Sequence, residues 1–210
     1  MAQAVAAVVL GSACQRAPQE DFVRSGFAAG YPVAAAEDAA PLRQPAAAPL
    51  AALPSGRCLK LTPNVAPPPV AVGPAANCPP DPETTHGKLP EVHVTFPDAG
   101  GQVDVEAELV RTEHDTARGL MFRRHLSEDR GMLFDLRVRD DHKFWMHNTC
   151  IPLDLLFIDD DGLLVGIVEN APTLDDTSRG VGCPSRWVLE VNAGWSRRHG
   201  IKAGQHVNLP

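Results

Sequence analysis

The chain has 210 residues, with 19 Lys and Arg against 26 Asp and Glu, and a formal net charge of −7 at pH 7. Residues 1–90 hold six basic and six acidic side chains, so the whole excess of negative charge lies in residues 91–210. A negative domain repels phosphate backbones, and the composition therefore disfavours nucleic-acid binding.

The first fourteen residues are small and apolar and end in Gly11-Ser12-Ala13-Cys14. Their apolar core, Ala4 to Leu10, is far shorter than the ~20 residues that a membrane-spanning helix needs, and no transmembrane span is predicted elsewhere. Small residues before a cysteine are typical of a lipoprotein signal, which makes Cys14 a lipidation candidate and predicts a lipid anchor. An Ala-rich disordered start is the alternative, because no Lys or Arg precedes the apolar run.

Fifteen of the 20 prolines lie at or before Pro90, in a stretch rich in alanine. Such a sequence buries too little apolar surface to offset the entropy of ordering it. We therefore predict a disordered linker over residues 15–88, without stable secondary structure beyond a short clip near Cys58 and Cys78, and a compact domain over residues 89–210. Proteolysis is expected to leave a resistant core that starts near Leu89.

No close C-x-x-C pair occurs among the five cysteines, which are Cys14, Cys58, Cys78, Cys150 and Cys183. Thiolate-bound metal is therefore not expected. If Cys14 carries a lipid, one pair of the remaining four flanks the proline-rich stretch and the other pair lies inside the domain. Cys150 and Cys183 fall at predicted strand boundaries, so we predict a disulfide between them. Disulfides favour an extracytoplasmic compartment, the periplasm or a membrane-anchored lipoprotein, and five free thiols in the cytoplasm are the alternative.

Alternation of apolar and polar residues predicts strands at 92–96 and 103–109, each with one solvated face. Thr112 followed by Asp115 predicts the start of a short helix. The step Asp160-Asp161-Gly162 between two apolar runs predicts a hairpin turn. Further short strands are predicted at 132–135, 143–147, 153–158, 163–169 and 187–191, followed by a helical turn at 195–199 and a last strand near Val207. This pattern indicates a mostly β domain, a compact sandwich or barrel with one or two short helices.

The sequence carries no pattern of a known catalytic or metal-binding chemistry. Asp159 to Gly162 lacks the alternate carboxylates of a calcium loop, and the pairs His142/His147 and His199/His206 have no third ligand in view. The motifs G-x-S-x-G, G-x-x-x-x-G-K and G-x-G-x-x-G are absent. We predict no metal, no cofactor and no catalytic residue.

Four segments, in order, resemble the hallmarks of the bacterial and archaeal family called domain of unknown function 192 (DUF192). They are the turn Gly119 to Arg123 (GLMFR), the strand Gly131 to Phe134 (GMLF), the stretch Trp145 to Asp154 (WMHNTCIPLD) and the segment Leu189 to Gly194 (LEVNAG). The resemblance covers roughly residues 92–207 and is to the exported bacterial type of the family. It implies a compact jelly-roll-like β fold and no settled biochemical role.

Charged, aromatic and amide side chains in these motifs form the candidate ligand-binding set. Its members are Arg118, Arg123, Arg124, Trp145, His147, Asn148, Asp154 and Glu190. Buried charges are expensive unless they are paired, so this mixture indicates either a ligand pocket or an internal ion-pair network. The family often has Lys where this chain has His147, so an anion bound there would be held less firmly at pH 8 than at pH 6. We predict that Arg123, Trp145, Asn148 and Asp154 lie close together.

Three hypotheses about function follow. The first is an exported, non-catalytic binding or accessory module tethered to the cell envelope, whose partner is an unknown small molecule, envelope polymer or protein. The second is an envelope hydrolase that uses Asp154 and Glu190 as acid and base, which requires their carboxyl groups to share an open cleft. The third is a structural envelope protein.

Overall fold

The computed structural model describes residues 56–83 and 87–210. The predictions for the signal segment, for Cys14 and for the linker up to residue 55 lie outside the described residues. Six strands and two short helices occur in the described part. They are β1 Glu91–Thr95, β2 Asp104–Val110, α1 Glu113–Arg118, β3 Arg130–Asp140, β4 Leu153–Ile158, β5 Leu164–Ala171, β6 Ser185–Asn192 and α2 Trp195–Arg198.

The strands form one sheet in the order β1-β2-β3-β6-β4-β5. Only β2 and β3 run parallel, and the other neighbours are antiparallel. The mostly β architecture with short helices is confirmed, but the sheet is not closed into a barrel, since β1 and β5 are edge strands. Within the described ranges, no helix combines the length and the apolar character that crossing a membrane requires.

Apolar side chains cover both faces of the sheet. On β6, Trp187, Leu189 and Val191 join one core cluster and Val188 joins the other, as expected for a strand whose successive side chains alternate between faces. β4 is buried along its whole length because both of its faces are covered. This burial explains why β4 is a continuous apolar run instead of an alternating one.

Four local predictions can be compared directly with the backbone. Thr112 caps α1, accepting a hydrogen bond from the Asp115 N–H at 3.1 Å, and residues 159–163 connect β4 and β5 as a hairpin. The prediction of a strand at residues 143–147 is wrong, since only an isolated bridge joins Phe144 to Arg179. The segment near Val207 likewise forms isolated bridges and no strand.

Residues 57–83, which we call the strap, lie against the domain although they contain neither helix nor strand. The Lys60 N–H donates to the Val165 carbonyl of edge strand β5 at 2.8 Å, and the Ala75 N–H donates to the Cys150 carbonyl at 2.8 Å. Between these points, Arg197 donates to the backbone of the strap at Pro63, at 2.8 Å. The strap thus supplies a hydrogen-bond partner to part of edge strand β5. An edge strand without such partners can pair with another chain and aggregate.

The predicted disulfide between Cys150 and Cys183 is wrong. Cys58 is bonded to Cys183 and Cys78 to Cys150, with Cα atoms 5.5 and 5.4 Å apart, so each bridge joins the strap to the domain. The predicted pairing within the proline-rich stretch and within the domain fails because the strap brings its two cysteines alongside the domain cysteines. Composition cannot reveal such docking, since the strap has few large apolar side chains of its own.

These contacts change the expected result of proteolysis. Because both ends of the strap are bonded to the domain, we expect oxidised protein to keep residues 57–83 on the resistant core, and reduced protein to lose them. Limited digestion with and without reductant, followed by mass spectrometry, measures the N-terminus of the core. A core that starts near Leu89 under oxidising conditions would contradict this prediction.

Candidate functional site

A cavity of about 350 Å³ lies between the end of the strap, the turn after α1 and strands β2 and β3. We call it the GLM pocket, after the Gly119-Leu120-Met121 turn at its wall. Its lining combines charged and apolar side chains. They are Asp81, Glu83, Gly87, Leu89, Glu108, His114, Asp115, Arg118, Gly119, Met121, Phe122, Arg123 and Met132.

The turn after α1 shapes the pocket because Gly119 ends the helix. Gly119 has φ 49° and ψ −133°, a conformation that L side chains rarely adopt. A Cβ atom there would lie 3.3 Å from the Phe134 ring, so a side chain has little room. The turn therefore passes close to the sheet and places Phe122 and Arg123 at the pocket wall.

Arg118 fastens α1 to the strap. Its guanidinium donates to Asp81 at 2.5 Å and lies 3.3 Å from a Glu83 oxygen, and it also stacks on the Phe122 ring at 5.4 Å. These carboxylates therefore hold the arginine in place at the pocket wall.

The other two predicted arginines also have partners within the protein. Arg123 binds Glu108 through two hydrogen bonds of 2.5 and 2.6 Å, the strong bidentate arrangement of a guanidinium and a carboxylate. Arg124 donates to the Cys78 carbonyl at 3.0 Å. The three predicted arginines thus mainly hold the strap and the turn against the domain, and they do not form an open anion site.

His114 adds a titratable group to the pocket. Its ring nitrogens lie 3.4 Å from Asp115 and 3.1 Å from Glu83, and these hydrogen bonds raise the pKa of His114. Asp115 in turn accepts a hydrogen bond from the Thr112 hydroxyl at 2.6 Å, which lowers the pKa of Asp115.

Glu190 lies beside the inner wall of the pocket. The register of the sheet places Glu108, Met132 and Glu190 in one row across β2, β3 and β6, with their side chains on the same face. Glu108 and Met132 line the pocket, and Glu190 is the next residue inward. Its Oε2 atom lies 4.0 Å from the position that a Cβ of Gly119 would occupy.

The Glu190 carboxyl is unusual because it lacks a polar partner. The residue is 5% exposed, and no hydrogen bond or ion pair links its carboxyl to another residue of the described ranges. Burial alone raises the pKa of Glu190 to about 8. The acid is therefore mostly neutral at pH 7.

Asp154, the other predicted acid, faces the opposite side of the sheet. It pairs in register with Val191, whereas Glu190 pairs with the neighbouring Leu155. Asp154 is fully buried and accepts three backbone hydrogen bonds of 2.9 to 3.0 Å, from Asn170, Gly194 and Ser196. It thereby fixes the start of α2 to the end of β5.

We expect Asp154→Asn to destabilise the fold by about 2 to 3 kcal/mol. The amide group keeps one acceptor oxygen and turns an NH₂ group toward a buried N–H, so at least one charge-assisted bond is lost and one donor is left unsatisfied. Urea unfolding measures the change in free energy, with the exposed Asp104→Asn as the control. A change below 0.5 kcal/mol would contradict the assigned role.

Trp145 and His147 form an exposed pair. Trp145 is 52% exposed, its ring stacks on His147 with centroids 4.8 Å apart, and His147 contacts Asp176 at 2.7 Å. Asn148 has φ 51°, and its carbonyl accepts a hydrogen bond from the Phe122 N–H at 2.8 Å.

The predicted cluster of Arg123, Trp145, Asn148 and Asp154 is therefore not formed. Asn148 does meet the GLM turn through Phe122, but Asp154 lies on the other face of the sheet. The same separation removes the geometric basis for Asp154 and Glu190 as an acid and base pair. In the described part of the chain, no group of three His, Cys, Asp or Glu side chains could hold a metal ion.

Sequence reasoning missed the acidic side of the pocket. Glu108 lies in the strand predicted at 103–109 with one solvated face, and Asp81 and Glu83 lie in the predicted linker. A proline-rich segment gives little sign of docking, but two cysteines within it, together with two more in the domain, are a signal that could have found the strap.

Two solved structures are similar to this chain. A protein of unknown function from Novosphingobium aromaticivorans DSM 12444 shares 37% identity with a TM-score of 0.57, over 66% of this chain and 94% of its own. A protein from Sinorhizobium meliloti 1021 that is provisionally called a transcription regulator shares 33% identity with a TM-score of 0.56, over 59% of this chain and 97% of its own. No curated protein matches the sequence.

The family comparison agrees with the four motifs and with the fold. The match covers residues 95–209, from the end of β1 to the C-terminal segment that bridges it, and includes every residue of the candidate set. The chain thus belongs to the DUF192 family, described as uncharacterized ACR.

Proposed function

We propose that this chain is a non-catalytic binding module and that the GLM pocket takes a small, positively charged organic molecule. The observation that carries the proposal is a pocket whose described lining has more acidic than basic side chains, with a buried acid, Glu190, beside its inner wall. The pocket volume of about 350 Å³ falls at the lower end of the usual range for ligand sites.

The charge of the pocket lining favours a cation. Four carboxylates line it among the described residues, against two guanidiniums and His114. Each guanidinium contacts a carboxylate, and the lining residues that the structure describes carry more negative than positive charge. Such a lining attracts a cationic ligand and repels an anionic one. Leu89, Met121 and Met132 supply apolar contacts for a short hydrocarbon part of the ligand.

We also propose that the module works outside the cytoplasm, tethered to the envelope through a lipid on Cys14. The two disulfides support an oxidising compartment. The apolar start of the chain before Cys14 supports the tether. Among the three hypotheses, the hydrolase loses support because Asp154 and Glu190 face opposite sides of the sheet.

Titration with 1,5-diaminopentane tests the proposed function. We expect saturable shifts of the Gly119 and Met121 amide signals in ¹⁵N–¹H NMR spectra, and none with 1,5-pentanediol, which has the same length without charge. Gly87→Phe places a ring at the pocket wall, where a Cβ meets no atom within 4 Å, and should weaken binding at least tenfold.

Gly100→Phe is the matched control, because Gly100 also has open space around its Cβ and lies outside the pocket lining. It should bind the diamine like the wild type. Equal binding by both phenylalanine variants, or no binding of the diamine by the wild type, would overturn the proposed function.

A further inference from the structure

A row of three side chains runs across the sheet from the GLM pocket to the buried Glu190. Glu108 and Met132 are lining residues, and Glu190 follows on the next strand. Adjacent strands lie about 4.8 Å apart, so the two carboxyl-bearing positions are about 10 Å apart with Met132 between them. A C5 diamine has a suitable length to contact both.

Gly119 and Met132 separate Glu190 from the pocket. Gly119 presents no side chain between the pocket and the carboxyl, and its hypothetical Cβ position lies 4.0 Å from Oε2. Along the row, the intervening side chain is Met132, whose unbranched and flexible chain adapts easily to a new neighbour. The approach of an ammonium group to the carboxyl then requires movement of the Met132 side chain.

The protein supplies no cation to Glu190. The elements packed against it present Met132 and Phe134 from β3, Leu155 from β4 and Gly119 from the turn after α1. The charged pocket groups in front of them already contact other residues: Arg118 with Asp81 and Glu83, Arg123 with Glu108, and His114 with Glu83 and Asp115. The acid therefore remains neutral until an external cation arrives, since an ionised carboxylate in an apolar cluster needs a partner.

We propose that Glu190 recognises an ammonium group of the ligand and exchanges its own proton for it. The ammonium N–H groups donate to the Glu190 carboxylate, and the proton carried by the free acid passes to the solvent. This inference rests on the proposed function and narrows the ligand to an aliphatic amine with an unbranched stem. Outer carboxylates such as Glu108 hold the second ammonium group of a diamine.

Calorimetry with 1,5-diaminopentane tests the exchange. Titrations at pH 7 in phosphate and in Tris, which differ in ionisation enthalpy, should show release of nearly one proton per ligand, because the pKa of Glu190 is about 8. Binding should strengthen about tenfold from pH 7 to pH 9, where Glu190 is already ionised and the amine still carries its charge. Glu190→Gln should bind more weakly, release no proton from this site and lose the tenfold change.

Two controls separate Glu190 from other groups. Glu113→Gln changes an exposed acid of α1 outside the pocket lining and should match the wild type. His114→Gln removes the histidine of the pocket lining, whose pKa is raised by Asp115 and Glu83, and should keep the tenfold change. If the diamine binds wild type and Glu190→Gln equally, without proton release, the inference is overturned while the proposed function stands. If the wild type does not bind the diamine, both are overturned.

Discussion

Glu190→Gln is expected to make the protein more stable above neutral pH. The glutamine has nearly the shape of the neutral acid but never ionises. In the wild type, the free energy of unfolding should fall as the pH rises from about 5 to 8, because the folded state binds the Glu190 proton more tightly than the unfolded state does. The free energy of unfolding of the variant should not show this fall.

The sign follows from the direction of the pKa shift. Burial raises the pKa of Glu190 from 4.5 to about 8. The neutral acid contributes fully to the free energy of unfolding when the pH is below the pKa of Glu190 in the unfolded chain. This contribution is lost as the pH rises through the pKa of Glu190 in the folded protein. Each pKa unit corresponds to about 1.4 kcal/mol, so the variant should exceed the wild type by on the order of 4 kcal/mol at pH 8.5.

Urea unfolding at pH 5, 7 and 8.5 measures this difference. Other groups titrate over the same range, but their effects cancel when the two proteins are compared at each pH. The two should agree within about 1 kcal/mol at pH 5, where both side chains are neutral. Parallel pH profiles would show that Glu190 is ionised in the folded protein.

Removing either disulfide is expected to lower stability by about 4 kcal/mol. The bridges are nested, with sequence separations of 125 and 72 residues. When the inner bridge is formed, the outer one closes only the difference between these separations, about 53 residues. In the chain-entropy model, loops of 53 and 72 residues correspond to similar stabilisation, about 4 kcal/mol each.

The double variants Cys58→Ala/Cys183→Ala and Cys78→Ala/Cys150→Ala test this expectation. Their free energies of unfolding should fall by similar amounts, and Cys14→Ala, which leaves both bridges intact, should not differ from the wild type. A change of less than 1 kcal/mol in either double variant would mean that the strap is held mainly by its hydrogen bonds.

The sequence predicts the β elements well where local chemistry determines them. The Asp160-Asp161-Gly162 turn, the Thr112 cap and the alternating strand β2 depend on neighbouring residues, and their positions agree with the structure. The segment at 143–147 has the composition of a strand but no neighbour with which to pair along its length. Pairing is a tertiary property that composition does not report.

The candidate site was only partly predictable for the same reason. Arg118 and Arg123 do line one pocket, and Glu190 does lie beside it. Asp154 is adjacent to Leu155, which pairs with Glu190, but the Asp154 side chain lies on the opposite face of the sheet from Glu190. Only the register of β4 against β6 reveals this. The positions of Asp81 and Glu83 in the pocket could not be predicted without knowing that disulfides hold the strap against the domain.

The nesting of the two bridges also affects how the protein matures. If Cys14 carries a lipid, a chain that enters an oxidising compartment from its N-terminus presents the thiols of Cys58 and Cys78 first, about 20 residues apart. Cys150 and Cys183 follow about 72 and 105 residues after Cys78. The first two thiols can therefore join each other before either native partner emerges. Reaching the native pairing then requires thiolate attack on this early bridge and exchange through mixed disulfides. Where that early bridge forms, the yield of native protein depends on thiol–disulfide exchange as well as on an oxidant.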